Sequence, residues 1–409
     1  MPERNCRFCD ARLDETFADL GMSPLSNAYV PESKRNCAET FYPLHAYVCG
    51  KCWLVQLEQF ESRENIFSDY LYFSSFSDEW LRHCEAYADR MVARFELGPG
   101  SQVVEIASND GYLLQYFQGR GIPVLGVEPA ANVAEVARAK GIPTEVAFFG
   151  AGSGRQLNAR GFAADLMAAN NVLAHVPDVN DFVAGFAALL KADGVITFEF
   201  PSLERLVAEG QFDTIYHEHF SYLSLLAVEQ ILDRHGLRAF DVEPLVTHGG
   251  SLRVFACHKE GRHAPAAGLQ AQRDRERDAG LDVMPSYRAF ARRVVDIKCQ
   301  VLEFFLKARQ EGKRIAGYGA PAKGNTLLNY CGIGPELLEF TVDRSPHKQG
   351  MLLPGSRIPV MHPDQIMRAK PDYIFILPWN LRGEISEQLS GVRAWGGRFV
   401  VPIPKIEVF

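Results

Sequence analysis

A short segment in the middle of the chain, residues 214–222, concentrates side chains that could move a proton. Four consecutive residues at its centre are Tyr216, His217, Glu218 and His219. A neutral imidazole beside a carboxylate and a phenol is suited to removing a proton near pH 7. We therefore interpret the segment as an acid–base site.

Two other interpretations of this segment stay open, a polar loop and a metal site formed by His217, Glu218 and His219. The metal site is disfavoured because adjacent ligands on one backbone rarely converge on a single ion. In an extended chain the two histidines would share one face, whereas in a turn Tyr216 and His219 could converge. The sequence alone does not choose the base.

Two cysteine pairs near the N-terminus have the spacing of a metal site. They are Cys6, Cys9, Cys49 and Cys52. Each CxxC turn supplies two thiolates, and two such turns complete a tetrahedral S4 site. Iron, a redox CxxC and chance are the alternatives. We predict a structural zinc ion that holds residues 1–68 together. A closed S4 site leaves no coordination position for chemistry.

A turn between two apolar segments has the position of a cofactor loop. Residues 102–107 predict a buried strand, residues 113–117 a helix, and Glu128 ends the next strand. A carboxylate there suits two ribose hydroxyls. One glycine in place of three disfavours a dinucleotide, so a cofactor with a ribose and no phosphate fits better; an ordinary turn is the alternative. The candidate ligands are Glu105, Ala107, Asn109, Asp110, Gly111 and Glu128.

A second glycine-rich turn lies near residue 320, between a predicted strand and a predicted helix. Its backbone N–H groups would be free at a helix N-terminus, and Lys323 adds a positive charge, which together make an anion site. Close packing is the alternative explanation for such a turn. The candidate substrate ligands are Tyr318, Gly319, Lys323 and Asn325.

These motifs lie in a chain with alternating strand and helix patterns from residue 76 onward, which predict an α/β fold with mostly parallel sheets. We predict a zinc-binding module at residues 1–68, a cofactor-binding domain at 69–283 and a second Rossmann-like α/β domain at 284–409. A helix is expected over 78–95 and a long one over 287–309. The charged segment 264–280 is expected to be a solvated helix or loop.

Charge and hydropathy exclude several classes of protein. The chain has 43 Lys and Arg against 50 Asp and Glu, a net charge of −7, which disfavours nucleic acid as a partner. No apolar run is long enough to span a membrane. Residues 1–6 show no secretory signal. We therefore expect a cytoplasmic protein with reduced thiols and no membrane or nucleic-acid partner.

Together the motifs resemble one family. The cofactor turn is similar to motif I of the class I S-adenosylmethionine-dependent methyltransferases, with Ala107 and Asn109 in place of two glycines. The double CxxC, the Glu-x-Ala-Ser-Asn-Asp-Gly turn, the segment 216–222 and His-Gly-Gly-Ser-Leu-Arg at 248–253 resemble the sugar C-methyltransferases of antibiotic deoxysugar pathways. The resemblance implies a class I methyltransferase domain between the zinc module and the C-terminal domain.

The resemblance also implies a reaction and a set of site residues. The reaction is methylation at C3 of a dTDP-linked 4-keto-2,6-dideoxysugar, with S-adenosylmethionine as the cofactor and a monomeric enzyme. Asn170 and Asn171 would lie beside the sulfonium. His219 would be the base, Glu218 its orienter or a ligand of a sugar hydroxyl, and His175 or Tyr216 a donor to the C4 oxygen. The residues that line the sugar pocket would be Tyr70, His175, Tyr216, Glu218 and His219.

Three other functions remain as alternatives. An O- or N-methyltransferase of a small molecule needs a base but no enolate site. A zinc-ribbon RNA methyltransferase would require a basic surface, against which the net charge of −7 argues. A non-catalytic binding protein of the same fold would have lost its acid–base residues, and the Tyr-His-Glu-His segment is intact.

Overall fold

The structure is a computed structural model in which residues 4–62, 75 and 78–409 are described. The predicted site residue Tyr70 lies outside these ranges. Within them, no helix combines the length and the apolar character that crossing a membrane requires.

The N-terminal module is a small antiparallel sheet that includes a strand from later in the chain. The sheet order is β1-β3-β4-β10, and β10 pairs with β4 so that Ser221 lies opposite Gln56. The β10 strand begins two residues after His219, so the predicted acid–base segment enters the N-terminal sheet. The sheet strands from the module are β1 (Glu15–Ser23), β3 (Tyr42–Val48) and β4 (Val55–Leu57). The short strand β2 (Val30–Pro31) lies outside this sheet and pairs with residues 351–352 of the C-terminal domain.

The middle domain is a seven-stranded sheet in the order β11-β12-β9-β8-β5-β6-β7, with helices packed against it. Strands β5 to β9 are parallel, and β12 joins β9 in the antiparallel sense. The elements are α1 (Asp78–Phe95), β5 (Val103–Ile106), α2 (Leu114–Gln118), β6 (Val124–Glu128), α3 (Ala131–Ala139), β7 (Thr144–Val146), α4 (Ala151–Ala159), β8 (Ala164–Asn170), α5 (Val179–Leu189), β9 (Leu190–Pro201), α6 (Leu203–Glu209), β10 (Ser221–Tyr222), α7 (Leu225–Arg234), β11 (Leu237–Leu245), β12 (Ser251–His258) and α8 (Ala267–Asp278).

The C-terminal domain is a second α/β layer structure. Its sheet has the order β16-β14-β13-β17-β18-β19, and every pair except β18 with β19 is parallel. The elements are α9 (Met284–Gln310), β13 (Ile315–Tyr318), α10 (Ala322–Cys331), β14 (Thr341–Val342), β15 (Met351–Leu352), β16 (Val360–Met361), α11 (Asp364–Ala369), β17 (Tyr373–Ile376), α12 (Arg382–Gln388), β18 (Arg398–Val401) and β19 (Glu407–Val408).

The N-terminal module shares its core with the other parts of the chain. Phe17 of β1 stacks on Phe290 of α9 with ring centroids 4.5 Å apart, and both side chains are buried. Four strands with one zinc site bury little apolar surface alone. The contact with α9 supplies a second buried face and fixes the module against the C-terminal domain.

The segment 264–280 differs from the expectation of a solvated element. Its central residues form α8, and Leu269, Gln272 and Glu276 on one face of this helix are buried. The Glu276 carboxylate accepts the backbone N–H groups of Leu225 and Leu226 at 2.7 and 2.9 Å. These donors belong to the first turn of α7, where backbone N–H groups lack helical partners. Glu276 therefore caps the N-terminus of α7 with a buried carboxylate.

Candidate active site

The four predicted zinc ligands converge. Their sulfur atoms all lie within 4.8 Å of one another, with Cys6 and Cys52 in contact at 3.5 Å and Cys9 and Cys49 also at 3.5 Å. Four sulfurs around zinc at about 2.3 Å would be roughly 3.8 Å apart. Gln56 Nε2 donates to the Cys6 sulfur at 3.2 Å, and such a hydrogen bond stabilises the negative charge of a thiolate ligand. The donor set fits a tetrahedral zinc ion.

The predicted cofactor loop follows β5 at the carboxyl edge of the middle sheet. Ala107 and Asn109 have φ of 56° and 49°, in the left-handed region that favours glycine. The backbone therefore keeps a glycine-like path although two of the expected glycines are replaced. Gly111 has φ of 78°, and a Cβ atom there would lie 2.9 Å from Ile142. Residue 111, the last of the three glycine positions in the motif, must therefore remain glycine.

Glu128 ends β6 and its carboxylate is held by the loop. Its two oxygens accept the backbone N–H groups of Asn109 at 2.9 Å and Ala130 at 2.8 Å. Burial raises the pKa of this carboxyl, and the two hydrogen bonds oppose that rise. Each carboxylate oxygen accepts more than one hydrogen bond, so acceptor capacity remains for hydroxyl donors.

Other polar groups line the same edge. Asp110 pairs with Lys140 at 3.0 Å and hydrogen bonds to Ser75. Asn170 ends β8, and its buried Oδ1 atom has no hydrogen-bond partner among the described residues. Asn171 has φ of 53°, and its Nδ2 is 3.4 Å from His248 Nε2. Glu105 is fully buried, and this burial holds its pKa well above the usual range.

Tyr216 and His219 converge in a turn, the second of the two arrangements that the sequence left open. His219 Nδ1 is 3.0 Å from the Thr214 carbonyl, and His219 Nε2 is 2.8 Å from the Tyr216 hydroxyl. A carbonyl only accepts, so Nδ1 carries the hydrogen and Nε2 accepts from the phenol. Burial and the neighbouring His175 hold the pKa of His219 well below its usual value, so its imidazole is neutral at pH 7.

His175 lies against this pair, with its ring centroid 4.8 Å from that of His219. Its Nδ1 donates to the Glu218 carbonyl at 2.7 Å, and burial lowers its pKa to about 4. A neutral imidazole with hydrogen on Nδ1 has no hydrogen on Nε2. In this tautomer Nε2 can only accept a hydrogen bond, so the role of His175 as a donor to the C4 oxygen stays a prediction that requires a proton on Nε2.

Glu218 and His217 contact the N-terminal module. The Glu218 carboxylate accepts from Asn27 at 2.7 Å, whereas Thr214 and Tyr216 hydrogen bond to His219. The role of Glu218 as orienter of His219 or ligand of a sugar hydroxyl stays a prediction. His217 Nε2 is 3.2 Å from the Pro43 carbonyl. Of the two histidines that the sequence left open, His219 lies in the acid–base cluster.

The predicted anion site lies where the C-terminal domain faces that cluster. Lys323 is in the first turn of α10, bonds to Asn380 at 2.8 Å and lies 4.6 Å from the centre of the Trp379 ring. Trp379 Nε1 donates to the Asp213 carboxylate at 2.7 Å. Asp213 is next to Thr214, so two contacts, Lys323 with Trp379 and Trp379 with Asp213, connect Lys323 with the segment that fixes His219.

The other three predicted substrate ligands have structural contacts. Tyr318 donates to Gln388 at 2.9 Å within the C-terminal domain, and Asn325 donates to the Ser26 carbonyl at 2.7 Å. Gly319 has φ of 87°, and a Cβ atom there would lie 2.5 Å from Pro378. Of the four, Lys323 is the one beside the acid–base cluster.

Sequence patterns did not single out Asn27, Asp213 or the side chain of His248 as site residues. Asn27 contacts Glu218, His248 contacts Asn171 and Asp213 contacts Trp379, each across a large separation in the chain. Trp379 follows β17, and the strand-end position was the one signal available for it.

Comparison with known proteins divides the chain into the same three parts, an N-terminal module, a middle domain and a C-terminal domain. Family models match a zinc binding domain at residues 6–67, a methyltransferase domain at 79–242 and a C-methyltransferase C-terminal domain at 246–404. The C-methyltransferase NovU of Streptomyces niveus is 38% identical over 409 residues, which cover 100% of this chain and 97% of that protein. The chain belongs to the C-methyltransferase family. This C-methyltransferase uses S-adenosylmethionine.

Two solved structures have a weaker likeness to this C-methyltransferase. Magnesium protoporphyrin IX methyltransferase of Synechocystis PCC 6803 with bound S-adenosylhomocysteine is 16% identical, with a TM-score of 0.35 over 44% of this chain and 83% of that one. The PH0226 protein of Pyrococcus horikoshii OT3 is 15% identical, with a TM-score of 0.38 over 49% of this chain and 100% of that one.

The cofactor edge of this C-methyltransferase fits S-adenosylmethionine chemically. The cofactor carries a sulfonium, an ammonium and two ribose hydroxyls. The edge offers the acceptors Glu128 and Asp110 and the Asn170 Oδ1 atom, which has no hydrogen-bond partner within the described part of the chain. Acceptors and carboxylates suit a ligand made of donors and positive charge.

We expect Glu128→Ala to weaken S-adenosylmethionine binding by at least about 100-fold, because two charge-assisted hydrogen bonds at roughly 1.5–3 kcal/mol each are lost. Calorimetric titration measures the change. Glu135→Ala, on the exposed face of α3, is the matched control and should bind as wild type does. An affinity unchanged in Glu128→Ala would refute the assignment.

We expect acid to destabilise the fold through His175. In the unfolded chain His175 is protonated below about pH 6.5, whereas in the folded chain its pKa is about 4. The contribution of His175 to the free energy of unfolding is therefore fully present above pH 6.5 and falls by about 3 kcal/mol as the pH drops to 4. Urea unfolding of wild type and His175→Asn from pH 7.5 to 4.5 tests this. The variant should lose less stability, and parallel profiles would contradict the prediction.

Proposed function

We propose that the enzyme methylates C3 of a dTDP-linked 4-keto-2,6-dideoxysugar. The observation that carries the proposal is the partly buried Tyr216–His219 pair, in which a neutral imidazole accepts from a phenol. Methylation on carbon requires a carbanion, and a ketone at C4 makes the C3 proton acidic enough for a protein base. Bound S-adenosylmethionine supplies the methyl group.

We infer that the proton leaves C3 through Tyr216. The Tyr216 oxygen takes the C3 proton while its own proton passes to His219 Nε2, and the C3–H electron pair becomes the C4 enolate. His219 becomes an imidazolium. Burial and the neighbouring His175 disfavour that charge, so the imidazolium forms only when the enolate is beside it. The pair thus stabilises the enolate electrostatically.

The thymidine diphosphate would be held at the interface with the C-terminal domain. Lys323 lies at the N-terminus of α10 and supplies the positive charge there. Its contact with Asn380 orients the ammonium. The Glu218 carboxylate retains an oxygen for a sugar hydroxyl, since Asn27 contacts the other.

The test is product analysis by mass spectrometry and NMR. The enzyme is incubated with S-adenosylmethionine and a panel of 4-keto and matched 4-hydroxy sugars linked to dTDP or UDP. We expect one added methyl group on C3 of a dTDP-linked 4-keto sugar and none on the 4-hydroxy partner. A methyl group found on oxygen or nitrogen would overturn the proposal. Faster methylation of a UDP-linked sugar than of its dTDP-linked counterpart would overturn the assignment of the nucleotide.

A further inference from the structure

Arg7, which lies between the zinc ligands Cys6 and Cys9, contacts both segments that carry His175 and His219. Arg7 Nη1 donates to the Pro177 carbonyl at 2.9 Å, two residues after His175. Its Nη2 donates to the Leu57 carbonyl in β4, and the guanidinium lies 5.4 Å from the centre of the Phe220 ring, next to His219.

A second contact path connects the zinc ligands with the same strand pair. Gln56 donates from Nε2 to the Cys6 sulfur at 3.2 Å and accepts the Arg7 backbone N–H at 2.9 Å through Oε1. Gln56 also lies opposite Ser221 in the β4–β10 pair. Gln56 thus connects the Cys6 sulfur and the backbone of Arg7 with the β4–β10 strand pair.

The first metal turn is also anchored to the middle domain. Asn180 Nδ2 donates to the carbonyls of Arg7 and Phe8 at 3.2 and 3.0 Å, and Arg234 donates to the Phe8 carbonyl at 3.1 Å. The turn therefore has little freedom to move when the Arg7 side chain is changed. A loss of the guanidinium contacts would act on the segments that it holds.

We propose that Arg7 is a positioning residue that sets the separation of His175 and His219 and so connects the zinc site with the acid–base cluster. The guanidinium is a planar fork with several donors, and it can hold two carbonyls from different segments at once. His175 in turn donates to the Glu218 carbonyl, which ties the two segments directly. Catalytic importance of this residue rests on the proposed function; its geometric role does not.

The experiment compares Arg7→Met with wild type in the zinc-loaded full chain with S-adenosylhomocysteine bound. Two-bond ¹⁵N–¹H spectra report the tautomer and environment of each imidazole, and spectra of His175→Asn and His219→Asn assign the signals. We expect the signals of His175 and His219 to shift in Arg7→Met. Exchange of the C3 proton of the keto sugar for deuterium should fall at least about tenfold.

Zinc content and S-adenosylhomocysteine affinity separate positioning from general damage, and both should stay at wild-type values. Arg12→Met is the matched control, since Arg12 lies in the same module, is exposed and pairs with Asp14; its spectra and exchange rate should not change. If Arg7→Met does not retain zinc, Arg7→Lys, which keeps the charge and loses the fork, takes its place.

Two outcomes would overturn the proposal. One is a set of histidine signals identical to wild type. The other is a loss of zinc and of S-adenosylhomocysteine binding in both Arg7 variants, which would make Arg7 a folding residue. If wild type itself exchanges no C3 proton, the proposed function fails, while the histidine spectra still decide the role of Arg7.

Discussion

Replacing His219 with asparagine is expected to abolish exchange of the C3 proton. The enzyme is incubated with the keto sugar in heavy water and S-adenosylhomocysteine, so that proton removal is measured without methyl transfer. Loss of a general base typically costs about 10²–10⁴ in rate. Asparagine can still donate to the Thr214 carbonyl that His219 Nδ1 contacts, so the variant removes the basic nitrogen while the local hydrogen bond is kept.

Two further variants decide how the pair works. Tyr216→Phe should lose exchange as fully as His219→Asn if the phenol passes the proton on. His217→Asn is the matched control, because His217 contacts the Pro43 carbonyl outside the cluster. Wild-type exchange in His219→Asn, together with a loss in His217→Asn or His175→Asn, would assign the base to one of those residues.

Loss of the zinc ligands is expected to have the other large effect. The double variant Cys49→Ser, Cys52→Ser should lose zinc and about 5–10 kcal/mol of stability, below the roughly 10–16 kcal/mol that zinc contributes to zinc-finger peptides. Methyl transfer should fall with it, because β10 pairs with the strand that follows Cys52. Metal analysis, urea unfolding and the product assay measure the three quantities.

The control for the zinc prediction is Cys37→Ser, Cys299→Ser. Both of these cysteines are exposed and neither belongs to the sulfur cluster, so zinc content and stability should stay at wild-type values. Metal analysis without zinc in wild type, or full stability of the Cys49→Ser, Cys52→Ser protein without metal, would show that the cysteines do not form a zinc site.

Local patterns in the sequence predicted the elements that depend on neighbouring residues. The helix over 78–95 is confirmed with the same bounds, and the strand at Val124–Glu128 likewise. The long helix expected over 287–309 runs from Met284 to Gln310. The pairing of β10 with β4 could not be foreseen, because a two-residue strand has no periodicity of its own and its partner is distant in the chain.

The chemistry of the candidate site was predictable only as a set of residue types. The sequence placed Tyr216 and His219 in one segment, and a turn that brings them together was one of two options. The tautomers of His219 and His175 follow from the carbonyls of Thr214 and Glu218. No side-chain pattern encodes such backbone contacts. The partner of Glu218, Asn27, belongs to a loop of another module.

The pairing of β4 with β10 has a consequence for synthesis of the chain on the ribosome. At roughly 5–20 residues per second, β10 emerges about 10–30 s after β4. The cysteines can bind zinc as soon as residue 52 has left the ribosome, but until β10 has emerged β4 presents an open edge that other nascent strands could join. Early metal binding would protect this edge, so zinc starvation during expression should increase the aggregated fraction more than removal of zinc from the finished enzyme.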